Sequence, residues 1–297
     1  MRAITQQALG GPEVLELVEV ERPHPGAGEV LVRVAATSVN AADWKLRTGE
    51  VDKLGPPPFT LGFDVSGTVA ETGSGVTDFG IGDEVYGMVL SRSGAYAEYV
   101  VVPADYLAPK PASIDHSQAA ALPTAVLTAW HALTKIAPGQ RVLVHAAAGG
   151  VGHLAVQIAK LHGAYVIGTA RSDNHEFLRS LGVDEVIDYR TTDFTTVTPP
   201  VDVVFDLVGG EYGERSLSIL TPDGRLIDAQ RDDALDDPRF HRTYVAPSGA
   251  DLREIATLVD RGLLRVEVAS VMPFADVARA HRLSESGRVR GKIVLVP

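Results

Sequence analysis

Two rhythms of hydrophobic and polar positions divide this chain of 297 residues. Up to about residue 118 the apolar positions alternate or form short β-branched runs, at 31–39 (LVRVAATSV), 64–73 (DVSGTVAETG) and 95–103 (AYAEYVVVP). Gly and Pro clusters separate them, notably at 23–28 and at Gly55-Pro56-Pro57-Pro58, and GIGDEV at 80–85 has the form of a turn feeding a strand. Short runs of period two with turn residues between them predict a partly closed antiparallel barrel.

From about Ile114 the period changes. Residues 116–133 (HSQAAALPTAVLTAWHAL) are alanine-rich and predict a helix interrupted at Pro123. Apolar segments then alternate with helical patterns: 142–144, 165–170, 183–187, 201–208 and 224–229. Strands apolar on both faces, set between helices, predict a doubly wound parallel sheet. Asp173 and Glu176 have the spacing of a capping box opening a helix that Gly182 ends, and 251–262 (DLREIATLVDRG) predicts a helix closed by glycine. A helix at 274–284 and a strand at 292–296 follow. The expected division is α/β: a β-barrel domain over 1–118, a Rossmann domain over 119–263, and a return of 264–297 to the first.

The segment 141–152 (RVLVHAAAGGVG) carries the clearest chemistry. An apolar run stops at a cluster of small residues, and a helical pattern with Leu154, Ile158 and Leu161 begins at once. Such a strand, turn and helix N-terminus lets backbone N–H groups approach a pyrophosphate, with the helix dipole favouring its charge. The pattern is Ala147-x-Gly149-x-x-Gly152, with alanine where the common fingerprint has its first glycine. Ala148, Gly149, Gly150, Val151 and Gly152 are the candidate phosphate contacts; the competing reading is a tight turn without ligand. The strand at 165–170 completes a unit of about 30 residues, the size of βαβ.

The second strand ends Thr169-Ala170-Arg171-Ser172, with no carboxylate at its tip. NAD sites place an acidic residue there for the ribose 2′-hydroxyl. Ala170 with Arg171 instead suits a 2′-phosphate, so NADPH is the favoured cofactor. Arg171 also reads as a solvated loop residue, and Asp173 either contributes to NAD binding or caps the next helix.

Composition removes other chemistries. The net charge of −11, from 27 basic and 38 acidic residues, opposes binding to nucleic acid. No apolar run has the length of a membrane span, and the first residues lack the apolar core of a signal peptide, so a cytoplasmic location is expected. The absence of cysteine excludes disulfides, thiol nucleophiles and thiolate zinc sites. The nine histidines form no HExxH or similar pair, so no metal is expected, and no GxSxG elbow supports a serine nucleophile.

VNAADWKLRTG at 39–49, LGFDVSGTV at 61–69, GDEVYG at 82–87, AAGGVG, SLGVDEVIDY at 180–189, VFDLVGG at 204–210 and GRVRGKIVL at 287–295 occur in a specific order. In that order the chain resembles, end to end, the zinc-independent quinone oxidoreductase (zeta-crystallin-like) branch of the medium-chain dehydrogenase/reductase superfamily. The resemblance implies a GroES-like catalytic domain, a Rossmann domain and a cleft between them. Zinc-dependent relatives carry Gly-His-Glu where this chain has Gly62-Phe63-Asp64. It implies direct hydride transfer from NADPH to a quinone or an α,β-unsaturated carbonyl in a homodimer. The alternative is a low-turnover NADPH-binding protein with a redox-responsive or structural role.

The resemblance also suggests roles for particular residues. Asn40 and Lys45 are the candidate catalytic and cofactor-contacting residues, the first otherwise a turn asparagine and the second a solvent-facing lysine. Trp44 and Tyr86 line the substrate pocket, with Tyr86, Lys45 or solvent as the proton source. Asp43 and Asp64 orient their neighbours, Asp64 equally serving as a structural acceptor. Thr128 lies near the nicotinamide or bonds its own helix backbone. Val208, Gly209 and Ala229 end sheet strands at the cofactor, and Lys292 in the closing motif touches it. His145 lies near the dinucleotide or in the core. The acidic segment at 231–240 lines the substrate cleft or a subunit edge.

Overall fold

The β-branched run at 31–39 becomes the strand Glu29–Val39, to which three other strands pair, in a computed structural model that describes residues 1–230 and 236–297. Its first half lies antiparallel to Tyr99–Pro103 and Asp64–Thr72, and its end lies antiparallel to Lys292–Val296. The register with Asp64–Thr72 shifts between Leu31 and Val32 and again between Val34 and Ala36. Bulges of this kind bend a strand and increase its twist, which suits a strand that changes partners along its length. The sheet runs on through Glu84–Met88 to Leu107–Pro109.

On the other side Val268–Pro273 joins Lys292–Val296 in parallel, the one parallel pair of this sheet among the described residues. VASVMP at 268–273 gives little signal in sequence because it alternates small and exposed residues and ends in proline. A smaller sheet joins Glu16–Glu19, Arg2–Gln6 and Phe59–Thr60. Beside a small cluster of Ala36, Ala120, Ala121 and Val294, two larger apolar clusters fill this region. One gathers Val30, Val32, Val65, Val85, Val100 and Leu107; the other gathers Ile4, Leu46, Phe63, Tyr96, Phe274 and Ile293.

Contacts divide the chain into two compact units, Met1–Leu127 with Pro247–Pro297, and Thr128–Ala246. The first therefore extends beyond the expected 1–118 and 264–297. Asp64 accepts the Thr124 N–H at 2.7 Å, and a Cβ on Gly249 would meet the Leu107 carbonyl oxygen at 2.2 Å. Those contacts bind the start of the helix Pro123–Leu133 and the helix Gly249–Asp260 to the barrel strands.

In the second unit six parallel strands take the order Glu185–Asp188, Tyr165–Ala170, Arg141–Val144, Val201–Asp206, Leu220–Asp228, Phe240–Arg242. Val142, Leu143 and Val144, like Val203, Val204 and Phe205, are fully buried, as continuous apolar strands require when both faces are covered. The first strand of the unit sits in the middle of the sheet, and its two neighbours follow through crossovers on either side. That reversal of strand order is where open α/β sheets bind ligands, outside the carboxyl ends of their strands.

One predicted element changes form. Ser172–Asn174 is a 3₁₀ turn and the helix runs His175–Ser180, so Asp173 and Glu176 form no capping box. Asp173 lies 3.7 Å from Arg190 instead. In the acidic segment at 231–240, residues 231–235 lie outside the described residues; beyond them Asp237 pairs with Arg239 at 2.8 Å.

Candidate functional site

The turn after Val144 is built from its backbone outwards. Ala146 takes a left-handed φ of 49°, and its carbonyl accepts the Gly149 N–H at 2.9 Å. Ala147, fully buried, donates its N–H to the Thr169 carbonyl at 3.0 Å, which ties the turn to the neighbouring strand. The helix Gly152–Leu161 starts immediately, and a Cβ on Gly152 would lie 2.3 Å from the Ala146 carbonyl oxygen. Only glycine lets the helix approach the turn this closely. Among the described residues, the N–H groups of Ala148, Gly150, Val151 and Gly152 meet no acceptor in the chain. Four donors at the N-terminus of a ten-residue helix, at the switch point of a parallel sheet, fit the pyrophosphate of a dinucleotide.

The neighbouring strand tip carries Ala170, buried, and Arg171 in extended backbone. Parallel register sets Ala170 beside Asp188, which brings in a residue that sequence reasoning missed. Arg190 donates to the Asp188 carboxylate at 3.1 Å and to the Ser172 hydroxyl at 3.0 Å. Asp188 also accepts the Ser172 N–H at 3.0 Å, and its carboxyl is held well below the usual range by the Arg190 guanidinium. The signal was the IDYR run at 187–190, readable only once two strand tips are aligned.

Farther along the sheet, Val208 and Gly209 lie past the strand, which stops at Asp206. The Asp206 carboxylate accepts both of their N–H groups, at 2.8 and 3.1 Å, and the Gly209 carbonyl accepts the Tyr212 N–H at 3.3 Å, which leaves Val208's exposed side chain facing outwards. Ala229 directly follows Leu220–Asp228 and donates to the Asp206 carbonyl at 3.1 Å. His145 belongs to the core. It is fully buried beside Phe194 and Tyr212, hydrogen-bonded to Thr169 and Ser216, and burial lowers its pKa to about 3.

In the first unit, Asn40 ends the long strand and opens the helix Ala41–Thr48. The Asp43 carboxylate accepts the Asn40 N–H at 2.8 Å and the Gly62 N–H at 2.9 Å. The Asn40 side chain also meets two charged residues. Its Nδ2 donates to Asp64 at 2.8 Å and its Oδ1 accepts from the Lys292 ammonium at 2.5 Å. Asp64, fully buried, also accepts the Ser38 hydroxyl at 2.5 Å. Asp43 reaches a pKa of about 7, chiefly because burial penalises its charge, against the help of its two backbone donors.

One turn on, Lys45 lies 3.5 Å from Glu50, with its ammonium 5.7 Å from the centre of the half-buried Trp44 ring. The Trp44 indole N–H is buried and meets no acceptor in the described chain. Thr128 is buried in the helix Pro123–Leu133.

Two expectations are corrected. Tyr86 does not line a pocket: it is fully buried in the strand Glu84–Met88, and its hydroxyl donates to the Leu252 carbonyl at 2.5 Å. Burial also raises its pKa well above the usual phenol value. Lys292 does not reach outwards to a cofactor. Its ammonium is buried and donates to the Val39 carbonyl at 3.1 Å and to Asn40, 3.6 Å from Asp64.

Residues 26–112 match the alcohol dehydrogenase GroES-like domain family, and residues 181–295 match the zinc-binding dehydrogenase family. The chain is 34% identical to an NADPH-dependent alkenal/one oxidoreductase of Arabidopsis thaliana, over all of this chain and 80% of that one. It superposes on a quinone oxidoreductase from Coxiella burnetii with a TM-score of 0.95, at 37% identity over 100% of this chain and 99% of that one. The chain belongs to the quinone oxidoreductase branch of the medium-chain dehydrogenase/reductases. A further member of known structure, the quinone oxidoreductase of Escherichia coli complexed with NADPH, shares 32% identity over the whole of both chains with a TM-score of 0.88. This oxidoreductase has the GroES-like and Rossmann units of that superfamily. Its donor set does not fit the zinc in the second family's description. Phe63 stands where zinc-dependent relatives have histidine, cysteine is absent, and among the described residues no three His, Asp or Glu side chains converge.

Proposed function

We propose that this oxidoreductase is an NADPH-dependent reductase of quinones or α,β-unsaturated carbonyls that works without a metal. The observation that carries the reading is the set of four uncommitted N–H groups at Ala148, Gly150, Val151 and Gly152. NADPH, when bound, supplies a hydride equivalent from its reduced nicotinamide. The turn amides take the pyrophosphate, and Arg171 with Arg190 supplies positive charge at the strand tip for the 2′-phosphate. Asn40 donates an amide N–H to the acceptor carbonyl, and Lys45 stabilises negative charge developing on its oxygen. Trp44 supplies an apolar wall and an indole N–H for the acceptor. Positioning and hydrogen bonds replace the Lewis acid of the zinc-dependent relatives. The alkenal/one oxidoreductase relative supports the enone half of this reading, and the Coxiella protein the quinone half.

The test is loss of NADPH absorbance with a panel of quinones and enones, alongside NADPH titration by fluorescence. Acceptor-dependent oxidation is expected. Binding without turnover across the panel would favour the low-turnover alternative, and no binding at all would remove both. A homodimer is part of the proposal and is checked by light scattering, where a particle of one chain's mass counts against it.

A further inference from the structure

We propose that Lys292 and Asp64 form a positioning pair that fixes the amide of Asn40 in a single orientation, so that Asn40 can act only as a hydrogen-bond donor towards a ligand. The inference rests on the proposed role of Asn40. An asparagine amide offers an acceptor and two donors, and rotation by a half-turn exchanges them. Here both ends are specified by charge. The ammonium of Lys292 lies 2.5 Å from Oδ1, and the Asp64 carboxylate accepts from Nδ2 at 2.8 Å. A flipped amide would face its NH₂ to the ammonium and its carbonyl to the carboxylate, so both contacts become repulsive. Both charges are buried, Lys292 at 4% exposure and Asp64 at 0%, where solvent screens them least.

The pair is itself held from three directions. Strand register places Ile293 opposite Val39, which sets Lys292 beside the Val39 carbonyl that accepts from it at 3.1 Å. Asp64 is pinned by the Ser38 hydroxyl at 2.5 Å and by the Thr124 N–H at 2.7 Å. With Oδ1 occupied and one Nδ2 hydrogen on Asp64, the second Nδ2 hydrogen is the group left on a side chain 9% exposed. A donor of fixed direction suits a carbonyl oxygen that gains negative charge during reduction. The ammonium therefore acts through Asn40, and is not itself a contact of cofactor or acceptor.

The experiment is a double-mutant cycle on the enzyme with NADPH. Asn40→Ala is combined with Lys292→Met, and also with the paired Asp64→Asn/Lys292→Met, which removes both charges together should the single change fail to fold. Lys292→Met is expected to lower kcat for an enone by about tenfold to a hundredfold. NADPH affinity, measured without acceptor, should shift less than about threefold, because the turn amides are untouched. Asn40→Ala should cost little more in either background, and Lys292→Arg should recover part of the loss. Full additivity of the Lys292 and Asn40 losses overturns the positioning role. So does a Lys292→Met effect that falls on NADPH affinity instead of kcat, since the lysine would then be a cofactor contact.

If the unaltered enzyme reduces no acceptor, the functional reading fails while the amide lock stays measurable by side-chain ¹⁵N spectroscopy. Asn40 Nδ2 should show a slowly exchanging pair of distinct protons that merges with the solvent-exposed amides in Lys292→Met. Rapid exchange in the unaltered protein sinks the lock by itself.

Discussion

At the scale of single residues, the buried His145 and His281 and the buried Asp43 each make stability depend on pH. Burial lowers His281 to about 3, from an unfolded value near 6.5, while it stays bonded to Arg47 and Tyr96. The unfolded chain takes up a proton there below pH 6.5 that the folded chain refuses, so stability is lost as pH falls from about 6.5 towards 3. His145 acts with the same sign over the same window. Asp43 opposes them. With its pKa raised from 3.8 to about 7, its contribution is greatest below pH 4 and fades as pH rises through 7. Two histidines outweigh one carboxyl between pH 4 and 6.5, leaving a net fall on acidification from these three groups. His281→Gln keeps a donor and an acceptor between Arg47 and Tyr96 and should remove about 1.4 kcal/mol per pH unit from that slope, read from urea unfolding at several pH values. An unchanged slope would show that His281 already titrates in the fold. At the strand tip, Arg171→Ala and Arg190→Ala should each erode NADPH preference over NADH by about threefold to thirtyfold, read from the two dissociation constants. If only Arg190→Ala acts, the phosphate reader is the arginine that neighbouring strands, and not neighbouring sequence, bring to the site. Lys45→Ala should lower kcat by about tenfold or more with a smaller change in NADPH affinity.

At the scale of elements, the glycine turn makes a paired prediction. Gly152→Ala forces a Cβ against the Ala146 carbonyl and should cost about 1–3 kcal/mol as well as weakening NADPH. Ala146→Gly should raise the melting temperature, because the left-handed φ of 49° costs an alanine about 1 kcal/mol and a glycine almost nothing. The turn was legible in sequence because its strand, small residues and helix are contiguous. Its strained position was not, since Ala147 matches the fingerprint's first glycine while the left-handed residue is Ala146. Strands such as Tyr165–Ala170 and Lys292–Val296 were legible to the residue, their apolar runs being bounded by unlike neighbours. What local pattern could not show was pairing. Arg190 reaches Ser172 through parallel register, and Lys292 reaches Asn40 across 252 residues of sequence. Tyr86 illustrates the converse: GDEVYG marks a strand correctly, but which face receives the tyrosine depends on a helix far along the chain.

At the scale of the whole molecule, net charge −11 disfavours nucleic acid as a partner, and no helix among the described residues is long and apolar enough to cross a membrane. NADPH at a hundred times its dissociation constant should stabilise the protein by about 2.7 kcal/mol, which differential scanning fluorimetry would register as a rise in melting temperature. No rise at saturating NADPH would show that the ligand does not select the folded state. The strand Lys292–Val296 lies between Glu29–Val39 and Val268–Pro273, one place in from the edge of its sheet. During translation, a ribosome delivers that strand only after the intervening nucleotide-binding unit, Thr128–Ala246, has already emerged. The unit begun first is consequently the one finished last. Until then the nascent barrel exposes the end of Glu29–Val39 as an unpaired edge, a surface for chaperones to cover.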